Sequence, residues 1–201
     1  MKIMIDVDDV LADFNGAFID LSHELFGTPK DVEITEWDFY RCIPGLTREM
    51  EQEVWNIIKN RENFYETLKP FAREEDFSLL REVILSKRYE IFFVTSRFPV
   101  RGRSVEEQTC RWIKRHIGDS ISPLVYVTSK KGALCEKMNI SIALDDAPHH
   151  IDNLICHGVS VVVMDWPHNR QFVDLPRVKN LKEFFHVVEN WDIICQNQTV
   201  E

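Results

Sequence analysis

No C-x-x-C pair occurs in the chain, and its five cysteines, Cys42, Cys110, Cys135, Cys156 and Cys195, are scattered and odd in number. They read as reduced thiols of a cytoplasmic protein, which excludes a disulfide framework and a thiolate zinc site. No apolar stretch approaches the ~20 residues that span a bilayer. The first apolar run is short and interrupted by Asp6, Asp8, Asp9 and Asp13, so no secretory leader is expected. The sequons at Asn139 and Asn197 therefore carry no weight. Positive charge is also short: 24 Lys and Arg face 33 Asp and Glu, giving a net charge of −9. That balance excludes a nucleic-acid polymer or an anionic membrane as the main partner. A small anionic substrate stays open, because a local metal and a few cations can hold one. Neither an internal repeat nor a low-complexity segment is present.

What remains is an ordinary globular composition, 44% hydrophobic and 28% charged over 201 residues. That length suits one generous domain, or a core domain with a small insertion. Five short runs are almost wholly apolar: Lys2 to Val7, Glu90 to Thr95, Leu124 to Thr128, Ser141 to Leu144 and Val159 to Met164. Such runs fit strands buried on both faces of a parallel sheet. Helical patterns separate the later ones, at Phe77 to Ser86, Ser104 to His116, Lys131 to Met138 and Pro148 to His157. The alternation predicts an α/β fold with a doubly wound, Rossmann-like parallel sheet. Asn180 to Cys195 reads as a final helix whose Phe184, Phe185, Val188 and Trp191 belong to the core.

The gap between Asp9 and Glu90 is too long for one crossover and rich in aromatics. Within it, Met50, Val54, Ile57 and Ile58 recur at helical spacing. Residues 15–75 are therefore expected to form a helical cap over the C-terminal edge of the sheet, with 1–14 and 76–201 as the core domain.

The chemistry sits at the ends of the strands. The first ends in Asp6-Val7-Asp8-Asp9-Val10, the second in Thr95-Ser96-Arg97, and the fourth in Asp145-Asp146. Thr128-Ser129-Lys130-Lys131-Gly132 follows the third. In a parallel sheet these ends share one edge, the place where such sheets bind ligands. Carboxylates there are costly unless paired, and together they suit a hard cation such as Mg²⁺. One of them can also serve as a nucleophile. Hydroxyls and a lysine beside them supply the other parts of a phosphoryl-transfer site. The bland reading of Asp6 to Asp9, an acid-decorated helix N-terminus, does not account for the other three strand ends.

These four segments resemble motifs I to IV of the haloacid dehalogenase (HAD) superfamily of aspartate-nucleophile phosphatases, over about residues 1–165. More narrowly, the chain is similar to the 5′(3′)-deoxyribonucleotidase family. Asp6 to Phe14, Asn63 to Pro70, Val94 to Arg97, Ile142 to Pro148 and Trp166-Pro167-His168-Asn169 carry that likeness. Asp9 stands where many members have Gly, Phe71-Ala72-Arg73 replaces the Gly-Ala after the cap proline, and Arg97-Phe98 precedes Pro99 where members have Pro directly.

The resemblance implies a HAD fold and a Mg²⁺-dependent phosphomonoesterase acting on deoxynucleoside monophosphates. Asp6 would attack phosphorus and Asp8 would protonate the leaving oxygen, then activate water. Asp6, the Asp8 carbonyl and Asp145 would hold the metal, with Asp146 behind them. Thr95, Ser96 and Lys131 would hold the phosphoryl oxygens, with Lys130 as the alternative to Lys131. It also implies a small phosphate ester as partner, and a homodimer. Phe14, Phe39, Phe64 and Tyr65 are candidate base-stacking residues and Arg97 a candidate substrate contact, each against a plain core or surface role. Ser96 could equally cap a helix and Asp146 could cap the Pro148 helix. His149 and His150 read as exposed helix residues, and His168 and Asn169 as loop-forming residues near the rim. Two alternatives stand beside this function: a HAD phosphatase for another small ester such as a sugar phosphate, and a non-catalytic binding module on the same fold.

Overall fold

The computed structural model describes the backbone of residues 1–198 and the side chains of residues 1–191. Six strands form one parallel sheet: β1 (Lys2–Ile5), β2 (Glu90–Thr95), β3 (Leu124–Val127), β4 (Ile142–Asp145), β5 (Ser160–Met164) and β6 (Arg177–Val178). Their order is β3-β2-β1-β4-β5-β6. The chain winds outward from β1 to β3 and returns to β4 on the other side of β1. The crevice beside β1 and β4 is therefore the switch point of a doubly wound sheet. The first five strands lie within two residues of the apolar runs. β6 has only two residues, too few for a pattern to announce it.

Period-2 alternation divides the core between the two faces of the sheet. Ile3 and Ile5 of β1, Phe93 of β2 and Leu144 of β4 belong to one cluster, and Met4, Phe92, Val94 and Ala143 to the other. On the first face pack α4 (Glu74–Ser86), α5 (Val105–Ile117) and α8 (Leu181–Gln198), through Phe77, Trp112 and Phe184. On the second pack α6 (Lys131–Met138) and α7 (Pro148–Cys156), through Cys135, Ile151 and Leu154. Trp112 is fully buried and its indole N–H donates to the Leu68 carbonyl at 2.8 Å. Phe184, Phe185 and Val188 are buried, and Trp191 packs against them. Cys195 lies outside the described side chains. Among the described cysteines none forms a disulfide.

Between β1 and β2 stand α1 (Phe14–Phe26), α2 (Phe39–Cys42), α3 (Arg48–Asn60) and a 3-10 turn at Phe64–Thr67. Local chemistry sets their ends. Asp13 accepts the Gly16 N–H and starts α1, which stops at Gly27, at φ +70°. Thr47 and Ser104 cap α3 and α5 in the same way, through Met50 N–H and Glu107 N–H. In α3, Val54 and Ile58 face inward, but Ile57 is exposed, because the apolar stripe passes through positions 54 and 58.

The segment is joined to the rest along two seams. Near its start and end, Asp13 donates to the Lys69 carbonyl, and Phe71 and Ala72 donate to the Leu11 carbonyl. At the far side, Asn63 donates to the Arg101 carbonyl and accepts the Arg103 N–H at 2.8 Å. Gly102 sits at φ +103° against Asn63; a Cβ there would lie 2.3 Å from the Asn63 side-chain oxygen. Phe18, Phe39 and Val54 share one apolar cluster with Phe77 and Trp112.

Candidate active site at the C-terminal edge of the sheet

Parallel strands ending together bring Asp6, Thr95 and Asp145 to one edge, and the first turn of α6 brings Lys131 to the same place. Lys131 is fully buried, with Nζ 2.9 Å from Asp6 Oδ2 and 2.7 Å from Asp145 Oδ2. Lys130 is exposed, so of the two lysines Lys131 is the one the fold delivers to the acids. Burial alone would lower the Lys131 pKa, but Asp145 and Asp6 more than offset it and hold the lysine charged. Asp6 is pushed up to about 7 by burial, against Lys131 and with help from Asp145 and Asp8. Its Oδ1 accepts the Val7 N–H at 2.7 Å, which fixes the carboxylate's orientation.

The pair Asp145-Asp146 divides its contacts. Asp145 has a partner on each oxygen: Oδ2 pairs with Lys131, and Oδ1 accepts the Ala147 N–H at 3.0 Å. Asp146 makes one side-chain contact, Oδ2 to His168 Nε2 at 3.1 Å. Neither caps the following helix by its side chain; Ala147 is the capping position, with Pro148 in the first turn. Burial raises the pKa of both acids. Asp6, Asp145 and Asp146 each offer a carboxylate oxygen within 4.8 Å of the others, a donor set that a hard divalent cation fits.

Asp9, also lining the crevice, sits at φ +57°, in the left-handed region that favours Gly. Its side chain accepts the Asn15 N–H at 2.9 Å and so feeds the start of α1. Its carbonyl accepts the Trp166 indole N–H at 2.8 Å.

Asp8 is half-buried and gripped by Arg97. The Arg97 Nε lies 3.0 and 2.9 Å from the two Asp8 oxygens, and Nη2 lies 2.7 Å from Oδ1. The Thr95 hydroxyl approaches Asp8 Oδ2 at 3.4 Å. Ser96 does not cap a helix, since Ser104 starts α5; its hydroxyl lies 2.9 Å from His150 Nε2. His150 corrects the sequence expectation of an exposed residue. It is 3% exposed, because α7 turns His150, Ile151 and Leu154 inward as one face. Burial, then Lys131, pushes its imidazole down to about 2, so it is neutral.

Above these groups opens a cavity of about 230 Å³. Phe14, Phe39 and Tyr65 line it, with Arg97 and Ser96, while Phe64 stands behind, edge-on to Phe14 and Tyr65. Trp55 and Trp37 also line it, and sequence reasoning did not single them out. Trp55 stacks on Phe14 with centroids 5.7 Å apart. Trp37 is 55% exposed yet stands edge-on to His149 and His168. A tryptophan in a long insertion after the Asp6 motif was the available signal. His168 and Asn169 close the crevice from the far side, in a 3-10 turn after β5. The Asn169 amide spans the Asp146 and Met164 carbonyls, both at 2.8 Å.

Comparison with known proteins fits this geometry. Residues 1–194 match the family described as 5′ nucleotidase, deoxy (pyrimidine), cytosolic type C protein. Among solved structures, a putative β-phosphoglucomutase from Thermotoga maritima is similar, with 15% identity, 94% of this chain and 98% of that one covered, and a TM-score of 0.54. A haloacid dehalogenase-like hydrolase from Streptococcus pneumoniae gives 14% identity, 92% and 97% coverage and a TM-score of 0.57. A HAD-superfamily hydrolase of subfamily IA from Geobacter sulfurreducens gives 16%, 92%, 95% and 0.51. These likenesses show the HAD fold. A search of curated proteins gives no match.

Proposed function

The chain belongs to the 5′ nucleotidase, deoxy (pyrimidine), cytosolic type C family, and on that premise we propose that it is a Mg²⁺-dependent phosphatase of deoxynucleoside monophosphates. Membership makes it a HAD phosphatase acting on small phosphate esters. The observation that carries the finer reading is the meeting, in one cavity, of a carboxylate cluster and an aromatic chamber. The cluster supplies phosphoryl chemistry; the flat faces of Phe14, Trp55 and Phe39 suit a nucleobase.

In this reading an Asp6 oxygen attacks phosphorus, and the bond from phosphorus to the substrate's ester oxygen breaks. Asp8, ion-paired with Arg97 in the free site, takes up a proton from solvent as the substrate phosphate binds and gives it to that oxygen, so the alcohol departs neutral. Asp8 then accepts a proton from water as the water attacks phosphorus, and Asp6 is released. Thr95 and Lys131 hold the phosphoryl oxygens during both displacements. Asp6, the Asp8 carbonyl and Asp146 would hold Mg²⁺, which when bound offsets the repulsion between the acids and the phosphate dianion. Assigning Asp146 to the metal, with Asp145 holding Lys131 in place, exchanges the roles expected from the motif. Both Asp145 oxygens are already committed, whereas Asp146 has one contact only. The extended helical segment 15–75 acts as the cap that carries the chamber wall.

The test is phosphate release from a panel of deoxy- and ribonucleotides with 5′ and 3′ phosphates, sugar phosphates and an aryl phosphate, with Mg²⁺ or EDTA. Metal-dependent release strongest on deoxynucleotides, lost in Asp6→Asn, is the expected result. Release from sugar or aryl phosphates alone would discard the nucleotide assignment, and full activity of Asp6→Asn would discard the mechanism.

A further inference from the structure

Two buried cations serve this site, and they are divided between its acids. Lys131 contacts Asp6 and Asp145. Arg97, which lies outside the four motif positions, contacts Asp8. The Arg97 side chain is 1% exposed, while Asp8 is 23% exposed and borders the cavity. A guanidinium is a rigid planar fork, so where it is anchored decides where its partner sits. Here the anchors come from behind. Arg97 Nη1 donates to the Thr109 hydroxyl of α5 at 2.9 Å. The guanidinium carbon stands 4.5 Å over the Tyr65 ring, and the Arg97 N–H donates to the Thr95 hydroxyl at 3.3 Å. Tyr65 is itself fixed, its hydroxyl donating to the Phe98 carbonyl at 2.9 Å and its N–H to Gln108 Oε1 at 3.1 Å. The bracing runs from α5 through Thr109 and Gln108 to Arg97, and from Arg97 to Asp8. A buried ion pair is a weak stabiliser overall, since desolvation of both charges cancels most of the attraction. A pair built this firmly around a reacting carboxyl group is better explained by geometry.

We propose that Arg97 is the positioning residue for Asp8: its guanidinium, braced by Thr109 and Tyr65, holds the Asp8 carboxyl group at the place from which it serves the ester oxygen. This rests on the phosphatase reading above. The consequence is selective. When Asp6 displaces an alkoxide, the departing oxygen needs the Asp8 proton at a defined position, and a misplaced carboxyl group slows the step. When it displaces a nitrophenolate, the oxygen leaves as a stable anion and Asp8 matters little to that first displacement, which kcat/KM reports, whereas the water attack that follows needs Asp8 for either ester.

The experiment measures kcat and KM of wild type, Arg97→Met, Arg97→Lys and Thr109→Val on two esters, 4-nitrophenyl phosphate and an alkyl ester the wild type accepts. Expected is a fall in kcat/KM of about 10²-fold on the alkyl ester for Arg97→Met, with less than about 10-fold on the aryl ester. Arg97→Lys, which keeps the charge but not the fork, should stand between, and Thr109→Val should show a smaller loss with the same selectivity. Equal loss of kcat/KM on both esters by a variant that melts at the wild-type temperature would overturn the inference and leave the phosphatase reading intact. No loss on either would do the same. Should Arg97→Met fail to fold, Thr109→Val decides, since it keeps Arg97 and must still lose the alkyl ester selectively. A wild type that hydrolyses neither ester overturns the phosphatase reading, and the inference with it.

Discussion

Removing the Asp6 charge should change how stability depends on pH, and the direction follows from burial. Asp6 is buried beside Asp145 and Asp8, and its pKa rises from 3.8 to about 7 in the folded protein. Between those values the folded chain keeps a proton that the unfolded chain has lost. Its contribution to stability is therefore full below about pH 4 and is lost as pH climbs through 7. One such proton gives a slope of about −1.4 kcal/mol per pH unit, or roughly 4 kcal/mol across the window. Asp9, Asp145 and Asp146 are raised by burial too and act with the same sign, so the decline belongs to the coupled cluster. His150 and His149 are lowered by burial, and stability from them rises toward pH 6.5. Comparing wild type with Asp6→Asn cancels the histidines. Urea unfolding in EDTA at pH 5, 6, 7 and 8 should show the wild type losing about 3 kcal/mol relative to Asp6→Asn between pH 5 and 7, then levelling. A difference that is flat or grows with pH would refute the burial argument. Repeating the series in Mg²⁺ should reverse the trend above pH 7, because metal binding needs the carboxylates deprotonated.

Three further outcomes follow from named contacts. Lys131→Met leaves Asp6 and Asp145 buried without their shared cation, and should cost about 3–5 kcal/mol in metal-free urea unfolding; a loss below about 1 kcal/mol would contradict the pairing. At Asp9, backbone and side chain separate cleanly. Asp9→Ala should cost roughly 1–2 kcal/mol, from φ +57° and the lost Asn15 contact, while Asp9→Gly should stay within about 1 kcal/mol of wild type, and the opposite order by thermal or urea unfolding would sink this account. Phe14→Ala removes the ring stacked on Trp55 and should raise KM for deoxynucleotides about 10-fold while leaving KM for glycerol phosphate unchanged; an equal rise for both would remove Phe14 from base recognition.

The strands were legible because both faces of the sheet are covered, so each appears as a short run of apolar residues with polar ends. The strand-end positions followed from topology: Asp6, Lys131 and Asp145 meet at that edge, with Thr95 against Asp8. Other features depend on contacts across long separations that no local pattern encodes. His150 looks like any polar helix residue until α7 turns it toward Ser96, 54 positions away. Arg97 sits in a loop, where an arginine is expected to be solvated, and only its 89-residue separation from Asp8 is closed by the fold. The division of contacts between Asp145 and Asp146 could not be read from two identical neighbours. It is set by which one faces Lys131 and which faces His168.

The charges lining the crevice explain why these contacts matter to chemistry as well as to folding. Asp6, Asp8, Asp9 and Asp146 border the cavity and Asp145 lies directly behind, while the buried cations among the described residues there are Lys131 and Arg97. Lys131 is divided between two acids and Arg97 is committed to a third. Carboxylates beyond those two cations can stay in a low-dielectric crevice only by keeping protons or by gaining a cation. The raised pKa values of Asp6 and Asp146 are the first solution, and under the proposed function a divalent ion bound at Asp6 and Asp146 would be the second. A phosphate dianion arriving at Asp6 worsens the imbalance in the first state and is attracted in the second. Substrate binding should therefore tighten with metal concentration, and metal binding should tighten with phosphate by the same factor. Isothermal titration of Mg²⁺ into the wild type with and without inorganic phosphate, which is a product and is not turned over, reads that coupling, and independent binding of the two would break the link between the acid cluster and the phosphate site.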